Sequence, residues 1–325
     1  MTHDHAHAHD DHGHDHDHGH HHGLGHHHHH HMPAPGTDSR AFGLAIGLNL
    51  LFVAIEFTYG FIAHSTALMA DAGHNLSDVL GLLLAWGAAL LAKSAPHGRY
   101  TYGLRGSSIL AALANGLLLM VACGAIAWEA VQRFTEPAPV AGLTVSVVAA
   151  VGVAVNGFSA WLFMRLAKDD LNVRGAYLHM AADAALSLGV VVAGLAIMAT
   201  GWHWIDPAVS LVIVVVIVAG TWSLLRESVQ LSMAAVPPGV DPGAVRAFLA
   251  GWPGVSEVHD LHIWAMSTTE TALTAHVVMP GGYPGDQVID AMVERLREDF
   301  AIHHCTLQVE EGTTHHHCAL KEHAH

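Results

Sequence analysis

Charged side chains are scarce in this chain. Asp, Glu, Lys and Arg make up 13% of its 325 residues, against 52% hydrophobic. That scarcity excludes an ordinary soluble protein, and the length excludes many membrane spans combined with large domains. Basic residues are rarest, with 13 Lys and Arg against 28 Asp and Glu and a formal charge of −15. A nucleic-acid partner is excluded on that ground, because phosphates are held by Lys and Arg. Only three Cys are present, one of them (Cys123) within an apolar run, so there is no disulfide framework. The first residues offer neither a basic region nor an early apolar core, so no cleavable signal peptide is expected.

Histidine is in excess. There are 32, most of them within the first 31 residues. Residues 1–37 alternate His, Asp and Gly and end in Pro33-Ala-Pro-Gly36. Such a segment cannot bury a core and reads as a disordered arm that binds divalent cations loosely. His26 to His31, followed by Met32, has the form of a tag junction, whereas the irregular His/Asp stretch before it does not.

Six apolar runs follow, at 41–62, 68–92, 107–132, 141–164, 176–200 and 206–225. Each is long enough to cross a bilayer, which takes about 20 residues. Arg40 precedes the first run and Arg226 follows the sixth. Lys93, Arg99 and Arg105 lie between the second and third, and Arg165, Lys168 and Arg174 between the fourth and fifth. The remaining loops carry only Arg133. An even number of spans with this bias puts both termini in the cytoplasm. Asn49, Glu56, Asn115, Asn156 and Ser187 interrupt the spans. The Asn and Ser residues read as hydrogen-bonding groups between helices. Glu56, nearer the outer end of its span, reads as reaching water.

One stretch stands out, Asp71-Ala-Gly-His74-Asn-Leu-Ser-Asp78. His74 and Asp78 are four apart and share a helix face. The same spacing returns at His179-Met-Ala-Ala-Asp183, in another span. One such pair alone reads equally well as a hydrogen bond between neighbours. Two, at membrane depth and with no Lys or Arg beside them, read as a metal path, because ionisable groups there are costly and face the protein interior. Together the pairs supply two imidazoles and two carboxylates, a tetrahedral set that suits zinc. Asp71 shares the face of His74 and Asp78, but it also lies near the helix start, where a carboxylate suits the dipole. Its role stays open.

After Arg226 the character changes, with a break at Pro237-Pro238-Gly239. Residues 241–251 and 286–299 read as helices, and 255–265, 271–279 and 302–310 as strands. The order αββαβ implies a small α+β sandwich in the cytoplasm. It holds a second group of candidate ligands: His259, His262, His276, His303, His304, Cys305 and Glu310, with His315-His-His-Cys318 in the tail. His262 is out of phase with His259 and is expected on the opposite strand face.

The chain resembles the cation diffusion facilitator family of membrane metal transporters, zinc-type branch, from about residue 40 to 311. The resemblance rests on Ala67-Leu-Met-Ala-Asp-Ala-Gly-His-Asn-Leu-Ser-Asp78 and Asn172-Val-Arg-Gly-Ala-Tyr-Leu-His-Met-Ala-Ala-Asp183. His259-Asp-Leu-His-Ile-Trp264 and Thr274-Ala-His-Val277 carry it into the cytoplasmic part. Many zinc-type members place a His-rich stretch between spans four and five. Here that loop is short and has no His, and the His-rich segment is N-terminal.

The resemblance implies a six-span transport domain over 38–230, a ferredoxin-like cytoplasmic domain over 231–311 and a tail over 312–325. It implies a transport site at His74, Asp78, His179 and Asp183, and a cytoplasmic metal site at His259, His276, His303 and Glu310, with Cys318 as a tail ligand. It also implies a homodimer in a bacterial inner membrane, with Zn2+ transported and regulatory. Metal and protons would compete for the same four membrane side chains. Alternating access would turn that competition into zinc/proton antiport out of the cytoplasm. Cobalt, nickel or cadmium would fit the same donors. Zinc bound in the cytoplasm would act on the transport site through span six.

Two other classes compete with transport. A membrane metalloenzyme would need further His pairs or a His-Glu-x-x-His segment, and neither is present. A metal store or sensor would leave the two buried pairs without a purpose.

Overall fold

The computed structural model describes residues 39–136, 138–166 and 171–313. The His-rich arm, Lys168, and the tail with His315-His-His-Cys318 lie outside the described residues. Each apolar run becomes a helix: α1 (Ser39–Ile62), α2 (Thr66–Ala92), α3 (Ser107–Thr135), α4 (Gly142–Leu166), α5 (Leu171–Thr200) and α6 (Ile205–Ser232). The last continues past Arg226, beyond the end expected from hydropathy. Five of these helices contain stretches long and apolar enough to cross a membrane, and α1 contributes the apolar segment Leu50–Ile62. Large apolar side chains point outward along them, including Leu117, Val121 and Trp128 on α3 and Val212, Val215 and Trp222 on α6. Exposed apolar surface of this extent is what a bilayer covers.

Helix ends and close crossings position the helices that carry the His/Asp pairs. Ser65 caps α2 with extended backbone, its Oγ accepting from Leu68 N at 3.1 Å. Asp206, in the first turn of α6, accepts from Thr66 N (2.7 Å) and Thr66 Oγ1 (2.8 Å), and Ser65 Oγ donates to its other oxygen. A buried carboxylate with three donors thus ties the N-terminal ends of α2 and α6 together. Helices α4 and α5 cross so closely that a β-carbon at Gly194 would stand 2.8 Å from the Gly142 carbonyl oxygen. Small residues at such a crossing let two backbones approach within a membrane.

Beyond α6 the chain forms α7 (Pro242–Ala250), β1 (Glu257–Ala265), β2 (Thr271–Val278), α8 (Asp286–Phe300) and β3 (Ile302–Glu310). Asp241 caps α7 by accepting from Gly243 N at 2.8 Å, with Pro242 opening the helix. The sheet runs β1-β2-β3, antiparallel between the first two strands and parallel between the last two. This is the expected αββαβ order. Val245 and Leu249 of α7 and Leu296 of α8 pack on Val258, Ile263, Leu273, Ala275 and Ile302. Along β2, buried Leu273, Ala275 and Val277 alternate with half-buried Thr274 and His276. One sheet face therefore makes the core with the helices, and the other carries polar side chains.

The sheet domain meets the membrane domain at the connection between α2 and α3. Arg105 Nη1 lies 2.6 Å from Glu270 Oε1, Thr268 N donates to Ser108 Oγ at 3.1 Å, and the rings of Tyr102 and His304 meet edge to face at 5.6 Å. Ile109, Leu231 and Ala265 form a small apolar cluster behind these contacts. The two domains are thus linked through the α2–α3 connection as well as through α6, which alone was expected to link them.

Candidate metal centre

His74 and Asp78 project from α2, His179 and Asp183 from α5, and the two pairs face each other. His74 Nε2 is 3.3 Å from Asp183 Oδ1, and His179 Nε2 is 3.2 Å from Asp78 Oδ2. Within each helix the distances are 3.7 Å (His74 to Asp78) and 3.6 Å (His179 to Asp183). The imidazole rings stand nearly perpendicular, with centroids 6.1 Å apart. A tetrahedral zinc ion with bonds of about 2.0–2.1 Å has ligand atoms about 3.3–3.4 Å from one another. The four separations lie near that edge: single ligand atoms of His74, Asp78 and Asp183 all fall within 4.8 Å of one another, and His179 adjoins them, reaching Asp183 through its other oxygen. Asp183 is 1% exposed, and the other three side chains are 15–16% exposed. A small opening onto the site thus coexists with a deeply buried carboxylate.

One turn before His74 on α2, Asp71 is fully buried and accepts from Ser187 Oγ of α5 at 2.7 Å. Ser187 thus bonds between helices, as expected. Glu56 departs from expectation. It does not reach water: it is fully buried, accepts from Asn75 Nδ2 at 3.2 Å and lies within hydrogen-bonding reach of Asp71. The physical reason is rotational. Glu56 lies on the face of α1 that packs against α2, so its distance from the helix end does not expose it.

The second group lies on the polar face of the three-stranded sheet. His259 and His276 stand opposite each other on β1 and β2, their ring centroids 5.0 Å apart. Glu310, at the end of β3, is 3.2 Å from His259 Nε2 and 2.6 Å from His276 Nδ1. The ligand atoms of these three residues lie within 4.8 Å of one another.

His303 does not join them. It sits at the other end of β3 from Glu310, seven residues away and about 23 Å at about 3.3 Å per residue, and it is exposed. Gln308 is the β3 residue beside His276, and its Nε2 donates to Glu310 Oε1 at 2.9 Å. His304 faces the membrane domain at Tyr102, and Cys305 packs with the core, where burial pushes its thiol up to about 12. Cys318 lies outside the described residues.

His262 corrects the phase argument. The strand register shifts between His259 and His262, so that His262 pairs with Thr274 while His259 pairs with His276. Thr274 and His276 share a face, so the bulge returns His262 to the face of His259. Asp260, within the bulge at φ 50°, lies 3.2 Å from His262 Nε2 and 3.6 Å from His276 Nε2. Asp260 was missed as a candidate, although it stands between the two His of the His259-Asp-Leu-His262 motif.

Residues 43–231 match the cation efflux transmembrane domain, and residues 237–312 match the cytoplasmic domain of cation efflux proteins. The chain belongs to the cation efflux family. Among its cation efflux relatives is the metal cation efflux system protein CzcD of Cupriavidus metallidurans, 35% identical over 85% of this chain and 87% of that protein. The zinc transporter ZitB of Escherichia coli is 34% identical over 85% of this chain and 87% of its own. A cadmium, cobalt and zinc/H(+)-K(+) antiporter of Bacillus subtilis is 32% identical over 83% and 88%. The cation efflux fold is thus a multi-pass membrane domain followed by a small sheet domain, and both His/carboxylate groups fall within the matched segments.

Proposed function

We propose that this chain exports divalent metal, zinc foremost, from the cytoplasm in exchange for protons, and that His74, Asp78, His179 and Asp183 bind the ion in transit. The observation that carries this reading is the pair of contacts between the two helices, His74 to Asp183 at 3.3 Å and His179 to Asp78 at 3.2 Å. Those separations suit a tetrahedral ion, and the two carboxylates balance its charge. When the ion leaves, the same imidazoles and carboxylates are free to take protons, so the two cargoes exclude each other. Relatives named for zinc, cadmium and cobalt support the metal class, and one named for H(+)-K(+) exchange supports coupling to protons. Cobalt, cadmium and nickel are secondary cargo of the same site.

His259, His276 and Glu310 form the proposed regulatory zinc site, with Cys318 as a tail ligand. The protein is read as a homodimer in a bacterial inner membrane with both termini in the cytoplasm. Zinc held by the sheet domain shifts the population of domain arrangements, and the contacts at Arg105, Ser108 and Tyr102 pass that shift to α2 and α3. The test is metal flux into proteoliposomes with and without an imposed pH gradient, run with zinc, cobalt, cadmium and manganese. Zinc uptake accelerated by the gradient supports the reading. Uptake indifferent to the gradient, or equal for every metal, contradicts it.

A further inference from the structure

Outside the four-residue site, the membrane domain holds two more carboxyls with no established use. Glu56 of α1 and Asp71 of α2 are both fully buried and lie within hydrogen-bonding reach of each other. Glu56 Oε2 accepts from Asn75 Nδ2 (3.2 Å), and Asp71 Oδ2 accepts from Ser187 Oγ (2.7 Å). Their remaining oxygens, Glu56 Oε1 and Asp71 Oδ1, are buried and receive no donor from any described residue. Among the described residues, no Lys or Arg pairs with either carboxyl. The other titratable groups near Asp71 are His74 and Asp183.

Two ionised carboxylates side by side, neither paired with a described Lys or Arg, repel at close range in a medium of low dielectric. One proton held by the pair cancels one charge and supplies a hydrogen-bond donor where the described residues offer none. We propose that Glu56 and Asp71 share one exchangeable proton and that this pair is a proton-carrying site of the antiport cycle, distinct from the metal ligands. The inference rests on the antiport reading above.

Its place in the fold suits the task. Asp71 lies seven residues before Asp78 on α2, towards the outer end, about 10 Å away at about 1.5 Å per residue. The pair therefore stands between the metal site and the outer face. A divalent cation arriving at Asp78 and Asp183 adds positive charge beside the pair and favours release of the shared proton to water. As the cation departs outward, the pair takes a proton from the outer side and the cycle resets. Only a proton moves: one O–H bond breaks or forms, and the balancing charge is the metal's.

The test combines spectroscopy with flux. Infrared difference spectra of wild-type protein at neutral pH, with and without saturating zinc, should show a carboxylic-acid C=O band that shifts in D2O and weakens when zinc binds. Glu56→Gln, which keeps an amide donor towards Asp71, should lose that band, bind zinc at the transport site, and lose most of the acceleration that a pH gradient gives wild type. Asp71→Asn should behave alike, which guards against one variant failing to fold. A variant that keeps the full gradient response overturns the proposal, as does a wild-type spectrum whose acid band ignores zinc. Failure of the antiport reading looks different: wild type itself would show no gradient response.

Discussion

The two groups of imidazole and carboxylate side chains in this molecule are built on opposite plans. In the membrane, four donors come from two helices, each giving a His and an Asp one turn apart. In the sheet domain, His259, His276 and Glu310 come one from each of three strands, 17 and 34 residues apart in the chain. The first group has a deeply buried carboxylate and sits between packed helices. The second lies on an open sheet face, with His259 24% and His276 19% exposed. Burial and rigid spacing suit a site that an ion must cross with its charge balanced. An open face made from three strands suits a site whose completion depends on what docks against it.

If that contrast is right, damage to the first group should be far more severe. Asp78→Ala removes a ligand and half of the balancing charge, and should abolish zinc transport while the protein still expresses and folds. Transport assays beside a size-exclusion profile check both parts. His74→Asp replaces nitrogen with a harder oxygen and should lower the ratio of zinc to manganese transported. An unchanged ratio would put selectivity outside these four residues.

Damage to the second group should be subtler. In a chain carrying Asp78→Ala and lacking residues 2–36, the remaining zinc binding should belong to the sheet domain, and His276→Ala should remove most of it in calorimetry. The same His276→Ala change in an otherwise intact chain should weaken the response to cytoplasmic zinc more than it weakens transport. Equal loss of both would blur the proposed division of labour.

The smallest effect concerns Cys305. Its thiol is held up to about 12 by burial, against 9.0 for an ordinary thiol. The neutral form is favoured by folding, so its contribution to stability is complete below about pH 9 and is lost as pH rises towards 12. Thiol reagents should therefore label Cys305 slowly at neutral pH and faster once the domain unfolds.

The same contrast explains what could be read from the chain. A helical site advertises itself, because His-x-x-x-Asp survives as a local pattern whatever the surroundings, and a second copy in another span identifies the partner. Glu56 was misread because hydropathy gives depth along a helix but not rotation about it, and only packing of α1 on α2 reveals that it is buried. The sheet site was half legible. His259, His276 and Glu310 could be named, but their meeting depends on strand register. A single bulge at Asp260 reversed the expected face of His262, and seven residues of β3 carried His303 away from Glu310. Alternation along a strand is reliable only until one extra residue enters it.

The central claim is that four side chains on α2 and α5 carry the ion. It is tested most directly by zinc flux into proteoliposomes under an imposed pH gradient, comparing wild type with Asp183→Ala at matched protein content. Asp183 is the most buried of the four, and its substitution leaves the sheet domain untouched. We expect gradient-driven zinc uptake in wild type and uptake no faster than in protein-free vesicles for Asp183→Ala. Zinc uptake by Asp183→Ala at the wild-type rate would contradict the account.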